Sequence, residues 1–359
     1  MDSSKELLLA LLRQDPYISQ KALADRLGLS RSAIAGHLAQ LTRDGRILGR
    51  AYVLAPQQTL LCIGAANWDR KLRTVQTARL HSSNPALQNE SAGGVARNIA
   101  ENLARLGLAV HLLTAVGEDP AGQALLDQVQ ALGVRTDGSL RLAHTPTGSY
   151  TAVLDAEGEL LIGLAQMQAC DTLDRSFLQR CQPLRAAASW TVIDLNLPGP
   201  TVAQLIDEAR DHGRPLAAVA VSVPKMDRLP QDLRGLALLL LNRDELSACA
   251  GLAVVDAATA QQAHERLAAR GLQALVLTQG AEALYWGRAG APLQAIQPPE
   301  TAVREVTGAG DALAAGILAG LQRDAQDLHA ACQLGLRLAA LTLRSDHTVS
   351  PELSPALLD

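Results

Sequence analysis

The stretch "VREVTGAGDALAAG" (303–316) sets four small residues, Thr307, Gly308, Ala309 and Gly310, ahead of one acid, Asp311, and an Ala-rich run. A helix that starts here presents unpaired backbone N–H groups and a partial positive charge at its tip. Gly308, Ala309 and Gly310 let an anion reach those N–H groups without meeting a large side chain. Asp311 then stands in the first turn, beside whatever the N–H groups hold. The pairing suits phosphoryl transfer to a hydroxyl: amides stabilise the moving phosphate while the acid accepts the hydroxyl proton. Taken alone, the same residues also describe a Thr-capped helix with a tight glycine entry.

Residues of related chemistry follow other apolar runs. "GAANWD" (64–69) places Asn67 and Asp69 just after one, and "SAGGVARN" (91–98) puts Gly93 and Gly94 at a helix start, with Arg97 and Asn98 facing the same mouth. Carboxamides and carboxylates suit sugar hydroxyls because they hold hydrogen bonds in fixed geometry. "NRDE" (242–245) offers Asn242 and Glu245 near a metal-bound phosphate, and Thr278 and Gly280 end a further run where a nucleotide could approach. No Gly-x4-Gly-Lys-[Ser/Thr] occurs, so phosphate charge falls to backbone, Mg²⁺ or Arg. Lys225, after "AVSVP", could reach a phosphate, but a solvated lysine is the first reading. The histidines show no metal-ligand spacing, and neither a Gly-x-Ser-x-Gly elbow nor a His-Glu-x-x-His helix is present, which removes hydrolase and zinc-enzyme readings.

These residues need elements to position them. "TLLCIG" (59–64), "VHLLTAV" (110–116), "WTVIDLN" (190–196), "LAAVAV" (216–221), "LALLLLN" (236–242) and "ALVLTQG" (274–280) read as buried strands. Amphipathic helices such as 94–107 and 256–271 lie between many of them. Such alternation predicts an α/β fold: a mainly parallel, Rossmann-like sheet with helices on both faces and ligands at the carboxyl ends of the strands. "TGSYTAVLDAEGELLIG" (147–163) alternates around Glu157-Gly158 like a hairpin, and 69–83 does so less clearly. Segments of about 69–83 and 145–165 are therefore expected to form a small β-sheet lid.

Residues 1–54 differ in charge. They hold eight Lys and Arg against five Asp and Glu, a net of +3, which leaves −7 for the rest of a chain whose total is −4. A basic head on an acidic body indicates different partners for the two parts. Leu7, Leu8, Leu11 and Leu12 mark one short helix, 19–27 a second, and Ser30 caps a third whose Ile34, Leu38 and Leu41 share a face. "GRILGRAYVL" (45–54), turning at Gly49-Arg50, completes a winged helix-turn-helix. Arg31, Arg43, Arg46 and Arg50 could meet phosphates, and Ser32 and Gly36 could approach base edges. The bland alternative is a three-helix dimerisation module. "APQQ" (55–58) reads as a short linker to the domain at 59–359. Five scattered cysteines without a Cys-x-x-Cys pair fit reduced thiols in the cytoplasm. No stretch has the length of a membrane span.

Taken in order, Asn67-x-Asp69, Gly93-Gly94-x-x-x-Asn98, Asn242-x-x-Glu245 and Gly308-Ala309-Gly310-Asp311 resemble the ribokinase-like (PfkB) sugar kinase family over about residues 59–345. The resemblance implies an ATP-dependent kinase in which Asp311 is the base, Gly308–Gly310 the anion hole, Thr307, Thr278 and Gly280 lie at the ATP, and Asn242 and Glu245 lie near Mg²⁺. A narrower resemblance, carried by "CIGAANWDRK", "SSNPALQNESAGGVARNIAENLARLG" and "VIDLNLP", is to bacterial pseudouridine kinases, many of which carry a helix-turn-helix. It implies transfer to the ribose 5′-hydroxyl, with Asp69, Gly94 and Asn98 on the ribose and Ser83 and Asn84 at the base edge; an ordinary turn at 83–85 is the alternative. A different nucleoside or sugar remains open, as does a regulator whose kinase fold only senses a ligand. The sequence departs from the family pattern in four places. Glu305 replaces the Asp of a monovalent-cation loop, and Gly280-Ala281-Glu282-Ala283 lacks a second glycine. Trp68 stands where a smaller residue is expected, and Gln166 where an acid is. The head implies a homodimer or larger homo-oligomer.

Overall fold

The computed structural model of the protein describes residues 3–49 and 58–358. Arg50, the second half of the expected wing (50–54) and most of the linker (55–57) lie outside the described residues. In the head, α1 (Ser3–Gln14), α2 (Gln20–Leu27) and α3 (Arg31–Arg43) close on a core that includes Leu8, Leu12, Leu23 and Ile34. Leu7, expected in that stripe, is 55% exposed, and Leu9 takes its place inside. Ser30 caps α3 by accepting from the Ala33 N–H at 3.1 Å, so the turn is fixed by a side chain that satisfies an orphan amide.

From residue 60 the chain alternates. It forms β1 (Leu60–Ile63), β2 (Asn67–Thr74), β3 (Ala86–Gly93), α4 (Val95–Arg105), β4 (Val110–Leu113), β5 (Ala115–Gly117), α5 (Pro120–Gln130) and β6 (Leu140–Leu142). Next come β7 (Gly148–Leu154), β8 (Leu160–Gln166), α6 (Arg175–Arg180), α7 (Gln182–Ala187), β9 (Trp190–Asp194), α8 (Gly199–His212) and β10 (Leu216–Val219). The chain ends with β11 (Leu236–Asn242), α9 (Arg243–Ala250), α10 (Ala257–Ala269), β12 (Ala274–Thr278), β13 (Leu284–Arg288), β14 (Gln294–Ile296), α11 (Ala309–Arg323) and α12 (Leu328–Leu343). The main sheet runs β14-β13-β12-β11-β10-β9-β1-β4. Its six strands from β12 to β4 are parallel, and β13 and β14 add an antiparallel edge. Alternate residues of one strand enter different cores: Leu60 and Cys62 pack on the side of α4, α11 and α12, and Leu61 and Ile63 on the side of α8 and α10. That is why the strands read as continuous apolar runs. "VHLLTAV" splits at Thr114, because Ala115–Gly117 leaves the main sheet to pair with β6.

The lid is a four-stranded sheet, β3-β2-β7-β8. The hairpin around Gly158 (φ 96) is present as expected from 147–163. The other half differs from expectation. It is not a hairpin within 69–83 but the pair β2 and β3, in register from Asn67 opposite Gly93 to Thr74 opposite Ala86. The strand β3 is largely exposed and polar, so it carries no apolar alternation to read. Its far end runs into Gly94 and α4, which brings a lid strand straight to the helix entry.

Candidate functional site

The helix α11 begins at Gly308, which adopts φ 86. A Cβ there would lie 2.0 Å from the Thr348 carbonyl oxygen, so only glycine fits. The Ala309 N–H folds back to the Val306 carbonyl at 3.3 Å, and Ala312 N–H bonds Gly308 at 2.9 Å. The amides of Gly310 and Asp311 are the first-turn donors left over. The open tip therefore sits one residue later than a Gly308–Gly310 hole. A Cβ on Gly310 would meet nothing within 4 Å, so the helix is open on that flank, where Gly310 lines a cleft.

Asp311 accepts from Asn98 Nδ2 at 2.7 Å. Burial pushes its carboxyl up to about 7; Asp194 and Asp69 push the same way, against Asn98 and Arg97. Arg97 does not face the mouth. It is 4% exposed, bonds Asn98 Oδ1 at 2.9 Å and pairs with Glu101. With Arg97 on the oxygen of Asn98, the amide nitrogen must face Asp311. On β2, Asn67 Nδ2 donates to Asp69 Oδ1 at 2.7 Å, and burial raises the Asp69 carboxyl. Asp69 lies directly over Gly93, where a Cβ would come within 2.2 Å of its carboxylate. Gly94 (φ 98) caps α4 against the Ala65 carbonyl. Trp68 raises no conflict, because strand alternation sends it to the opposite face, where its Nε1 donates to Ala121 O at 3.0 Å.

Two groups here escaped the sequence analysis. Asp194, fully buried at the end of β9, accepts from the Ala65, Ala96 and Asn196 N–H groups at 2.8, 3.0 and 2.8 Å. It ties the end of β1 to the start of α4; the polar tail of "VIDLN" was its only signal. Lys71, also on β2, pairs with Glu305 and donates to Thr307 Oγ1 at 2.9 Å. Glu305 is pushed up by burial, but the hydrogen bonds from Lys71 and Thr307 outweigh that and hold it down to about 2. Lys225, expected in solvent, is half-buried and bonded to Asn196.

A cleft of 650 Å³ lies on the other side of the tip, lined by Thr278, Gly280, Val303, Ala309, Gly310 and Leu336 among others. Asn242 pairs with Thr278 in register at the strand ends. Asn242 and Glu245 form a capping box at α9: Glu245 N–H bonds Asn242 Oδ1 at 2.9 Å, and Glu245 Oε2 accepts from Asn242 N–H at 2.8 Å. Glu245 is 4% exposed and its carboxyl is raised by burial. Its other oxygen makes no hydrogen bond among the described residues. No three carboxylate, His or Cys side chains converge on a metal position among the described residues. That donor set fits an Mg²⁺ carried in on a triphosphate, which needs only one or two protein carboxylates.

Ser83 and Asn84 lie in the exposed loop between β2 and β3. Asn84 is spent on that loop, accepting from Arg79 N–H at 2.8 Å and donating to Arg79 O at 2.9 Å, so the turn alternative describes it. In the head, Arg31, Ser32, Gly36 and Arg43 are exposed along α3. Arg46 is instead paired with Glu6 at 2.8 Å. The head rests on α7 through Gly45, whose Cβ would meet the Ala187 nitrogen at 2.6 Å, and through Gln182, which donates to Arg43 O at 3.3 Å. No helix among the described residues is long and apolar enough to cross a membrane.

Residues 57–355 match the model of the pfkB family of carbohydrate kinases, and residues 1–47 match a winged helix-turn-helix DNA-binding model. The sugar kinase YeiI of Escherichia coli (strain K12), itself described as uncharacterized, is 29% identical over 99% of this chain and 97% of its own. The pseudouridine kinase of the same strain is 31% identical over 83% of this chain and 94% of its own. A guanosine-inosine kinase of Exiguobacterium acetylicum is 28% identical over 74% of this chain and 88% of its own. A carbohydrate kinase structure from Agrobacterium tumefaciens superposes with a TM-score of 0.71 at 29% identity, over 84% of this chain and 96% of that one. The Arabidopsis thaliana ribokinase bound to ribose and ATP shares the fold, with a TM-score of 0.74 at 19% identity over 85% of this chain and 99% of that one. The chain belongs to the pfkB family of carbohydrate kinases, with a ribokinase-like α/β body behind a winged helix-turn-helix head.

Proposed function

We propose that the protein is an ATP-dependent pseudouridine kinase that yields pseudouridine 5′-phosphate and ADP. The single observation that carries the kinase chemistry is the shared tip of α11: Asp311, held by Asn98, stands on one side of it, and the 650 Å³ cleft that Gly310 lines lies on the other. The adenine and ribose of ATP occupy the apolar cleft, and the γ-phosphate reaches the tip of α11. Asp69 and Asn67 hold the nucleoside ribose hydroxyls, with Gly93 giving them room. Asp311 takes the 5′-hydroxyl proton as that oxygen attacks the γ-phosphorus and the bond to ADP breaks in line. The Gly310 and Asp311 N–H groups stabilise charge on the phosphoryl oxygens. Mg²⁺, when bound with the triphosphate, neutralises phosphate charge, and Glu245 is the carboxylate at hand to hold it. A base whose carboxyl is pushed up to about 7 is matched to proton transfer near neutral pH.

The substrate assignment is supported by the pseudouridine kinase at 31% identity. The guanosine-inosine kinase at 28% favours a second reading, a purine nucleoside acceptor. ATP consumption with pseudouridine, uridine, inosine and ribose separates them. Pseudouridine turning over fastest supports the first reading; inosine turning over fastest replaces it. The head is read as a DNA-binding module through Arg31, Ser32, Gly36 and Arg43, working in a homodimer or larger homo-oligomer. Retardation of operator-containing DNA, weakened by Arg31→Ala and by added salt, tests that reading.

A further inference from the structure

The family resemblance implies a monovalent cation beside the loop that leads into α11. The residues present do not fit one. Glu305, which stands at the acidic position of that loop, and the neighbouring Thr307 Oγ1 already hold the Lys71 ammonium. A second positive charge there would sit against the first and be repelled. We propose that Lys71 is a positioning residue, a tethered cation that takes the place of a metal ion and clamps the lid strand β2 to the entry of the catalytic helix.

Three observations carry this. Asn67, Asp69 and Lys71 alternate onto one face of β2, so the strand that presents the ribose-side residues also delivers the ammonium. Glu305 Oε1 wraps the turn, accepting from Val306 N–H at 2.9 Å, Thr307 N–H at 3.0 Å and Thr307 Oγ1 at 2.7 Å. Thr307 runs directly into Gly308, which is held against the Thr348 carbonyl. The position of this turn therefore sets where the Gly310 and Asp311 amides point. The residue type agrees. Only four of the chain's 32 basic residues are lysines, yet a lysine stands here. An ammonium is a compact point charge, as a monovalent ion is, whereas guanidinium is a wide planar fork.

The inference rests on the kinase reading only for its rate measurement; a melting measurement without any acceptor stands apart from it. Unfolding of the full-length wild type is expected to be the same in potassium and in choline chloride at equal ionic strength. Lys71→Met is expected to melt higher in potassium than in choline, because a vacated site binds the ion and binding stabilises the folded state. In turnover, Lys71→Met should lower kcat about ten- to a hundredfold, the range for losing a hydrogen bond to a charged group. The nucleoside KM should change less, and potassium or ammonium ions should restore part of the rate. Glu305→Gln keeps an acceptor oxygen but removes its charge, so it should slow turnover with no rescue by either ion. A wild type that requires potassium, a Lys71→Met enzyme with wild-type kcat, or rescue of Glu305→Gln by potassium overturns the proposal.

Discussion

Glu305 and Asp311 stand six positions apart on one entry into α11, yet the fold drives them in opposite directions. Burial raises both. At Glu305 the Lys71 ammonium and the Thr307 hydrogen bonds outweigh it and bring the carboxyl down to about 2. At Asp311 the bond from Asn98 does not offset burial, and Asp194 and Asp69 add to the rise, which reaches about 7. The difference lies in the partners that distant strands bring. β2 supplies a cation to Glu305, while β9 and β2 bring Asp194 and Asp69 near enough to oppose a negative charge on Asp311. One acid is held as a fixed ionic tie, and the other is left with the proton affinity that the proposed base role requires.

The largest effect should come from removing the acceptor. Asp311→Asn is expected to lower kcat about 10²- to 10⁴-fold, the usual range for a general base, with nucleoside binding retained in calorimetry. Its melting temperature at pH 8 should not fall. The folded-state pKa of Asp311 lies above the unfolded value, so the ionised group opposes folding once pH passes both. Wild-type turnover in this variant would end the contrast between the two acids. A smaller effect is expected at the tip itself. Gly310→Ala places a methyl group in the open space beside the tip and should reduce kcat. Helix propensity favours Ala by up to about 1 kcal/mol, so stability should hold or rise. Loss of stability with unchanged kcat would make the tip a structural helix cap.

The pH dependence sharpens the comparison further. The kcat/KM profile should fall as pH drops through about 7, where free-enzyme Asp311 takes up its proton. Glu305 stays ionised across that range. Its pairing stabilises the fold above the unfolded carboxyl pKa, and that contribution disappears only as pH falls toward about 2. A shallow acid limb in thermal melts, flattened by Glu305→Gln, is the expected sign, and the smallest of these effects because both partners are partly exposed.

The helix tip, the parallel strands and the three-helix head were legible because each rests on local rules: small residues at a helix entry, apolar runs of strand length and a capping Ser30. The missed pieces lacked such signals. The strand β3 is polar on both faces. The antiparallel edge β13 and β14 consists of short strands with no clear alternation. Lys71 is one lysine in a charged strand, and Arg97 follows two glycines that suggested an open mouth, although α4 turns it inward to Glu101. Asn84 looked like a base-edge group but closes its own loop.

By itself the sequence determined the small-residue entry into α11, the parallel strands and the capped three-helix head, since backbone propensity and hydrophobic period act over a few neighbours. It did not determine the charge state of those residues. Tertiary structure alone set Lys71 against Glu305, and Asp69 and Asp194 near Asp311, at separations in sequence of more than one hundred residues. A carboxylate's proton affinity depends on burial and on charges a few ångströms away, and only the folded chain brings those charges together.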